Sequence, residues 1–104
     1  MQRVIVILHL KPGAQKKAAE LIAKGAPFDL AETGFERHGV YLSTEEVAFV
    51  FEGRDVEWLV DELVFDPYRR PMSQAIDEWR ELVDQHPRVA REMFFWQAKH
   101  AAAA

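Results

Sequence analysis

Residues 3–10, RVIVILHL, form an almost unbroken apolar run of strand length, rich in the β-branched residues that fit a pleated sheet. Lys11-Pro12-Gly13 ends the run, and Pro12 suits the opening of a helix. The period then changes. Ala14, Ala18, Leu21 and Ile22 fall on one helical side, with Lys16, Lys17, Glu20 and Lys24 mostly on the other. Gly25 suits the position just past a helix, and Pro27 blocks its continuation. Residues 28–34 read as a connector. Residues 35–54, FERHGVYLSTEEVAFVFEGR, then read as two strands joined by the polar turn Ser43-Thr44-Glu45-Glu46. Pairing Leu42 with Val47 places Arg37 opposite Glu52 and His38 opposite Phe51. One face of this hairpin carries Glu36, His38, Val40, Leu42, Val47, Phe49 and Phe51 and is predicted to meet helices. The other carries Phe35, Arg37, Gly39, Tyr41, Ala48, Val50 and Glu52.

Asp55 is placed to cap the next helix, in which Val56, Leu59, Val60, Leu63 and Val64 form an apolar stripe. Phe65-Asp66-Pro67 breaks it, because the residue before a proline is pushed away from helical angles. A further helix starts near Pro71 or Ser73, with Met72, Ala75, Ile76, Trp79, Leu82 and Val83 as its stripe and His86-Pro87 as its end. Residues 88–97, with Met93-Phe94-Phe95-Trp96 at the centre, read as the last strand, and residues 99–104 as a tail. The order is β-α-β-β-α-(α)-β. With right-handed crossovers it predicts an α+β, ferredoxin-like plait over residues 1–98, a four-stranded antiparallel sheet with helices on one face.

Composition narrows the function classes. A chain of 104 residues accommodates one domain of modest core. Thirteen basic against seventeen acidic residues give a net charge of −4, which argues against nucleic-acid binding through clustered Lys and Arg. Phe49-Val50-Phe51 bears a faint likeness to the stacking strand of an RNA-recognition motif, but no basic residue and glycine precede it. Cysteine is absent, so thiolate chemistry and disulfides are excluded. The four histidines lack the spacing that places two ligands on one metal ion, and neither a phosphate-binding glycine loop nor a nucleophile elbow is present. The first apolar run is too short for a signal peptide or membrane span, so a soluble cytoplasmic protein with no membrane partner is expected.

The sheet face turned away from the helices would carry Ile5, Ile7, Phe35, Tyr41, Val50, Met93 and Phe95. That is more apolar surface than a monomer usually exposes, so a homodimer through this face is expected, the alternative being a monomer whose face is shielded by long side chains such as Arg3, Arg37 and Glu52. In this order and pattern the chain resembles the dimeric α+β barrel superfamily. The carriers are the strand VIVILHLKPG, the helix AQKKAAELIAKG, the hairpin VYLSTEEVAFVFEG and the closing EWRELVDQHPRVAREMFFWQ, together spanning roughly residues 2–97. The resemblance implies a small-molecule-binding homodimer with its ligand between sheet and helices. It includes cofactor-independent monooxygenases and polyketide-cyclase-like proteins, and so implies an aromatic or polyketide-like compound handled without metal or flavin. The haem-degrading branch uses an Asn, and this chain has none. The residues by themselves equally allow a non-catalytic ligand-binding or dimerisation module, and whether the chain is an enzyme stays open.

Candidate chemistry centres on His38, which projects toward the helices beside Phe51, where an imidazole can serve as acid or base near neutral pH. A hydrogen-bonded histidine at a strand end is the structural alternative. His9 lies at the end of the first strand on the other face, with Tyr41 as a candidate neighbour, and is the second catalytic candidate or a polar contact at the dimer edge. Phe51, Trp58, Tyr68, Arg69 and Trp79 are the candidate substrate-binding wall, an aromatic surface with a cation at its mouth for an anionic ligand. The alternative for these residues is core packing and helix capping. Arg37 and Glu52, joined by Arg3, read as a cross-strand ion pair. Asp77, Glu78, Glu81 and Asp84 read as a solvated helix face paired with Arg80 and Arg88.

Overall fold

The computed structural model describes residues 2–26, 31, 33–58, 60 and 77–99. In chain order come β1 (Gln2–His9), α1 (Gln15–Ala23), β2 (Arg37–Leu42), β3 (Glu46–Gly53) and β4 (Arg88–Arg91). Residues 56–58, 60 and 77–80 are also helical. The strands form one four-stranded sheet in the order β2-β3-β1-β4, and each neighbouring pair is antiparallel. The architecture is therefore α+β. No helix among the described residues is long and apolar enough to cross a membrane.

Alternation along β1 explains where the core sits. Val4, Val6 and Leu8 are buried, whereas Arg3, Ile5, Ile7 and His9 between them are only partly covered. The buried set joins Val47 and Phe51 of β3, Ala14 and Ala18 of the α1 region, Val56, Val60 and Leu82 in a single cluster. Leu21 and Ile22 pack against it, as their helical spacing predicts. Past the end of α1, Gly25 adopts φ +83°, and its amide donates to the Ile22 carbonyl at 3.0 Å.

The hairpin has the expected register, with Leu42 opposite Val47, His38 opposite Phe51 and Arg37 opposite Glu52. Ser43 fixes its turn. The Ser43 Oγ accepts from the Glu46 amide at 3.0 Å and donates to the Glu46 carbonyl at 3.1 Å, while the Ser43 amide donates to the same carbonyl at 2.8 Å.

Three expectations change. Phe35 does not lie on the uncovered face but packs against the core, its ring 4.6 Å from that of Phe51. β2 begins only at Arg37, so strand alternation does not govern Phe35. Instead the chain at Gly34 passes so close to Gly53 that a Cβ there would lie 2.9 Å from the Gly34 oxygen. The closing strand ends at Arg91 rather than residue 97. Its register sets Arg91 against Val4, leaving only Arg3 and Gln2 of β1 to pair, and the last bond is from the Glu92 amide to the Arg3 carbonyl at 3.2 Å. The helix before it ends at residue 80, short of Leu82 and Val83. The backbone there is drawn to the end of β1, where the Lys11 amide donates to the Leu82 carbonyl at 2.8 Å and Leu10 bridges Val83. The expected break at Phe65-Asp66-Pro67, the stripe residues Leu59, Leu63, Val64, Met72, Ala75 and Ile76, and residues 100–104 of the tail lie outside the described residues.

Candidate functional site

His38 sits on β2, an edge strand, facing the helical side. Its ring stacks on Phe51, with centroids 4.6 Å apart and planes 24° apart. It also lies nearly parallel to Phe49 at 6.4 Å. Phe51 meets Phe35 on its other flank, and Phe49 receives the edge of Trp79 at 5.3 Å. Five rings thus run as one wall from Phe35 through Phe51, His38 and Phe49 to Trp79.

The polar end of His38 is held as well. Nδ1 lies 3.0 Å from the Val50 carbonyl oxygen. A carbonyl only accepts, so the proton belongs on Nδ1, and in the neutral ring Nε2 is left as an acceptor. Burial pushes the His38 pKa below its ordinary 6.5, with the Val50 bond opposing in part. The imidazole is therefore neutral at pH 7, the state a base requires.

This depression has a stability consequence of definite sign. The unfolded chain binds the His38 proton more readily than the folded one. The stability it contributes is complete above pH 6.5 and is lost as the pH falls through the lower folded pKa. His38→Gln, which cannot titrate, is expected to flatten this part of the pH dependence. Denaturant melts of both proteins on either side of pH 6.5 check it, and parallel curves would count against the depressed pKa.

Among the expected wall residues, Phe51 is packed at 5% exposure and Trp79 is half-buried against Phe49. Trp58 faces solvent, off the buried stripe of Val56 and Val60. Tyr68 and Arg69 lie outside the described residues. Phe35 and Phe49 belong to the wall without having been singled out for it. Phe49 was legible from strand alternation, whereas Phe35 depends on the path of the chain past Gly53.

At the opposite corner of the sheet, the His9 Nδ1 is 2.6 Å from the Asp84 Oδ1. The Asp84 amide reaches the His9 carbonyl at 3.3 Å, so backbone and side chain meet together. Asp84 is thus the partner of His9 rather than a member of a solvated helix face. Arg88 likewise pairs with Glu46 across the sheet, while Arg80 stays with Asp77 at 3.5 Å as expected. His9 and Glu46 are themselves opposite one another on β1 and β3, so the His9–Asp84 contact and the Arg88–Glu46 ion pair adjoin.

Two further features occupy the uncovered face. An open cleft of about 240 Å3 is lined by Ile7, Tyr41, Leu42, Ser43, Glu46 and Ala48. Small Ala48 between larger neighbours is its only sequence signal. At the other end, Glu52 is buried under Arg3, which also pairs with Glu92 at 2.9 Å, and Arg37 approaches Glu52 at 3.6 Å. Among the described residues, no group of three His, Asp or Glu side chains is placed to hold a metal ion. No protein-family model matches the chain, and a search of curated proteins returns no match.

Proposed function

We propose that the protein is a ferredoxin-like homodimer of the dimeric α+β barrel kind that binds a small aromatic or polyketide-like molecule, with His38 as the polar group of the site. The strand order β2-β3-β1-β4, with antiparallel neighbours throughout, is the order such a plait requires and supports the fold. The uncovered face, with Ile5, Ile7 and Val50 only partly shielded and Tyr41 exposed, supports the dimer. The observation that carries the ligand reading is the neutral, oriented imidazole set into a wall of four aromatic rings. Such a surface offers stacking to an aromatic ligand and one acceptor, Nε2, to a phenol or enol hydroxyl. A base at Nε2 would serve a cyclase or a cofactor-independent oxygenase by removing that proton.

A non-catalytic dimerisation module is the second reading. It is favoured by the tight packing of Phe51 between Phe35 and His38, which gives the imidazole a sufficient structural role.

A thermal-shift screen against aromatic and polyketide-like acids separates the two. A ligand at ~100 times its dissociation constant stabilises by about 2.7 kcal/mol. A hit in the wild type that is weakened in His38→Ala is the expected result and leads to a turnover assay. A panel without hits, in a dimeric protein, would leave only the dimerisation module.

A further inference from the structure

Residues 92–98, which follow β4, form neither helix nor strand. They nevertheless carry four consecutive large apolar side chains. Phe95 lies with Arg3 over its ring at 5.1 Å, on the uncovered side of β1. Tyr41 is 65% exposed, Phe94 85%, Phe95 54% and Trp96 74%. At ~150–250 Å2 per aromatic side chain, these four present on the order of 500 Å2 of aromatic surface. A specific interface needs ~800 Å2 per partner, and Ile5, Ile7 and Val50, only partly shielded on the same face, contribute to the remainder.

The arm and the cleft stand at diagonally opposite corners of one face. The arm leaves β4 beside Arg3, at the β4 edge and the beginning of β1. The cleft lies toward the β2 edge and the far end of β1, among Tyr41, Ala48 and Ile7. Arg3 and Ile7 alone are ~13 Å apart along β1, and the cleft lies a further strand or two across the sheet. With Phe95 held at Arg3, the arm does not cover its own cleft. When two such faces meet about a two-fold axis lying along the other diagonal, each arm falls on its partner's cleft, and the exchange is reciprocal.

We propose that the cleft is completed by a second copy of this chain, whose arm at Met93, Phe94, Phe95 and Trp96 lays an aromatic side chain against Tyr41, Ile7 and Ala48. The proposal rests on the homodimer inferred above and adds its geometry. Charge agrees with it. Glu45 precedes the cleft residue Glu46 in the chain, and Lys99 follows the arm. The remaining ionic groups of the face are already paired at its two ends, as Arg3 with Glu52 and Glu92, and as Arg88 with Glu46. The apolar centre can therefore be buried without stranding a charge.

The absence of native cysteine makes the test direct. Tyr41→Cys and Phe94→Cys are made separately, both at exposed positions, and each is checked for native circular dichroism and for its sedimentation behaviour. The two are mixed, allowed to exchange subunits and oxidised. A covalent dimer is expected from the mixture and not from either variant alone, because the axis keeps the two arms apart and the two clefts apart. A dimer by sedimentation that gives no cross-link specific to the mixture overturns the arm exchange while leaving the homodimer intact. A monomer at micromolar concentration overturns both, and leaves the cleft to a small molecule.

Discussion

Phe51→Ala is expected to destabilise the fold by about 3–5 kcal/mol, the range for removing a fully packed aromatic side chain from a core. Phe51 is 5% exposed and is clamped between two rings, Phe35 and His38, each with its centroid 4.6 Å away. Neither neighbour is free to close the gap. His38 is tied to the Val50 carbonyl on the adjacent strand, and Phe35 is held by the chain crossing at Gly53. The hole would therefore stay open, which sets the cost toward the upper part of the range. Equilibrium denaturation measures it as a fall in midpoint at unchanged slope. The same variant bears on function. If Phe51 only lined an open pocket, its truncation would weaken ligand binding and cost about 1 kcal/mol of stability, as for a partly exposed residue. A small loss would thus contradict the packed wall described above.

The central hairpin was legible because its information is local. A strand-length apolar run, a Ser-Thr-Glu-Glu turn and a period of two fix the register in which His38 meets Phe51. α1 was legible for the same reason, from its stripe and from Gly25. What escaped depends on residues far apart in sequence. His9 and Asp84 are separated by 75 positions, and nothing in an acidic helix-like run distinguishes the one carboxylate that turns back to the sheet. Residues 92–97 have strand composition, yet strand formation needs a partner, and β1 offers only Arg3 and Gln2 beyond the Arg91 position. Within the candidate site, the ring facing Phe51 followed from register, while the bond from Nδ1 to the Val50 carbonyl depends on a side-chain torsion that no spacing encodes.

Arg3→Ala is expected to cost about 2–3 kcal/mol and Arg37→Ala under ~0.5 kcal/mol, although both arginines address the same carboxylate. The Glu52 side chain is 9% exposed, that of Arg3 33% and that of Arg37 77%. Arg3 is the close partner, meeting Glu52 through two guanidinium nitrogens, Nε and Nη2. Arg37 stands off at 3.6 Å in solvent, where an ion pair is worth little. Removing Arg3 leaves a buried carboxylate with only that loose partner, and it also frees Glu92 and uncovers Phe95. Removing Arg37 leaves the buried pair whole. The asymmetry is the informative quantity, since it follows from which partner is buried and not from how many ion pairs are drawn. Arg3→Met tests the cause, because it keeps most of the stem that packs over Phe95 while removing the charge. A loss as large as that of Arg3→Ala assigns the effect to the stranded Glu52 carboxylate. A loss close to zero assigns it to packing, and equal losses for Arg3→Ala and Arg37→Ala would contradict the buried arrangement itself.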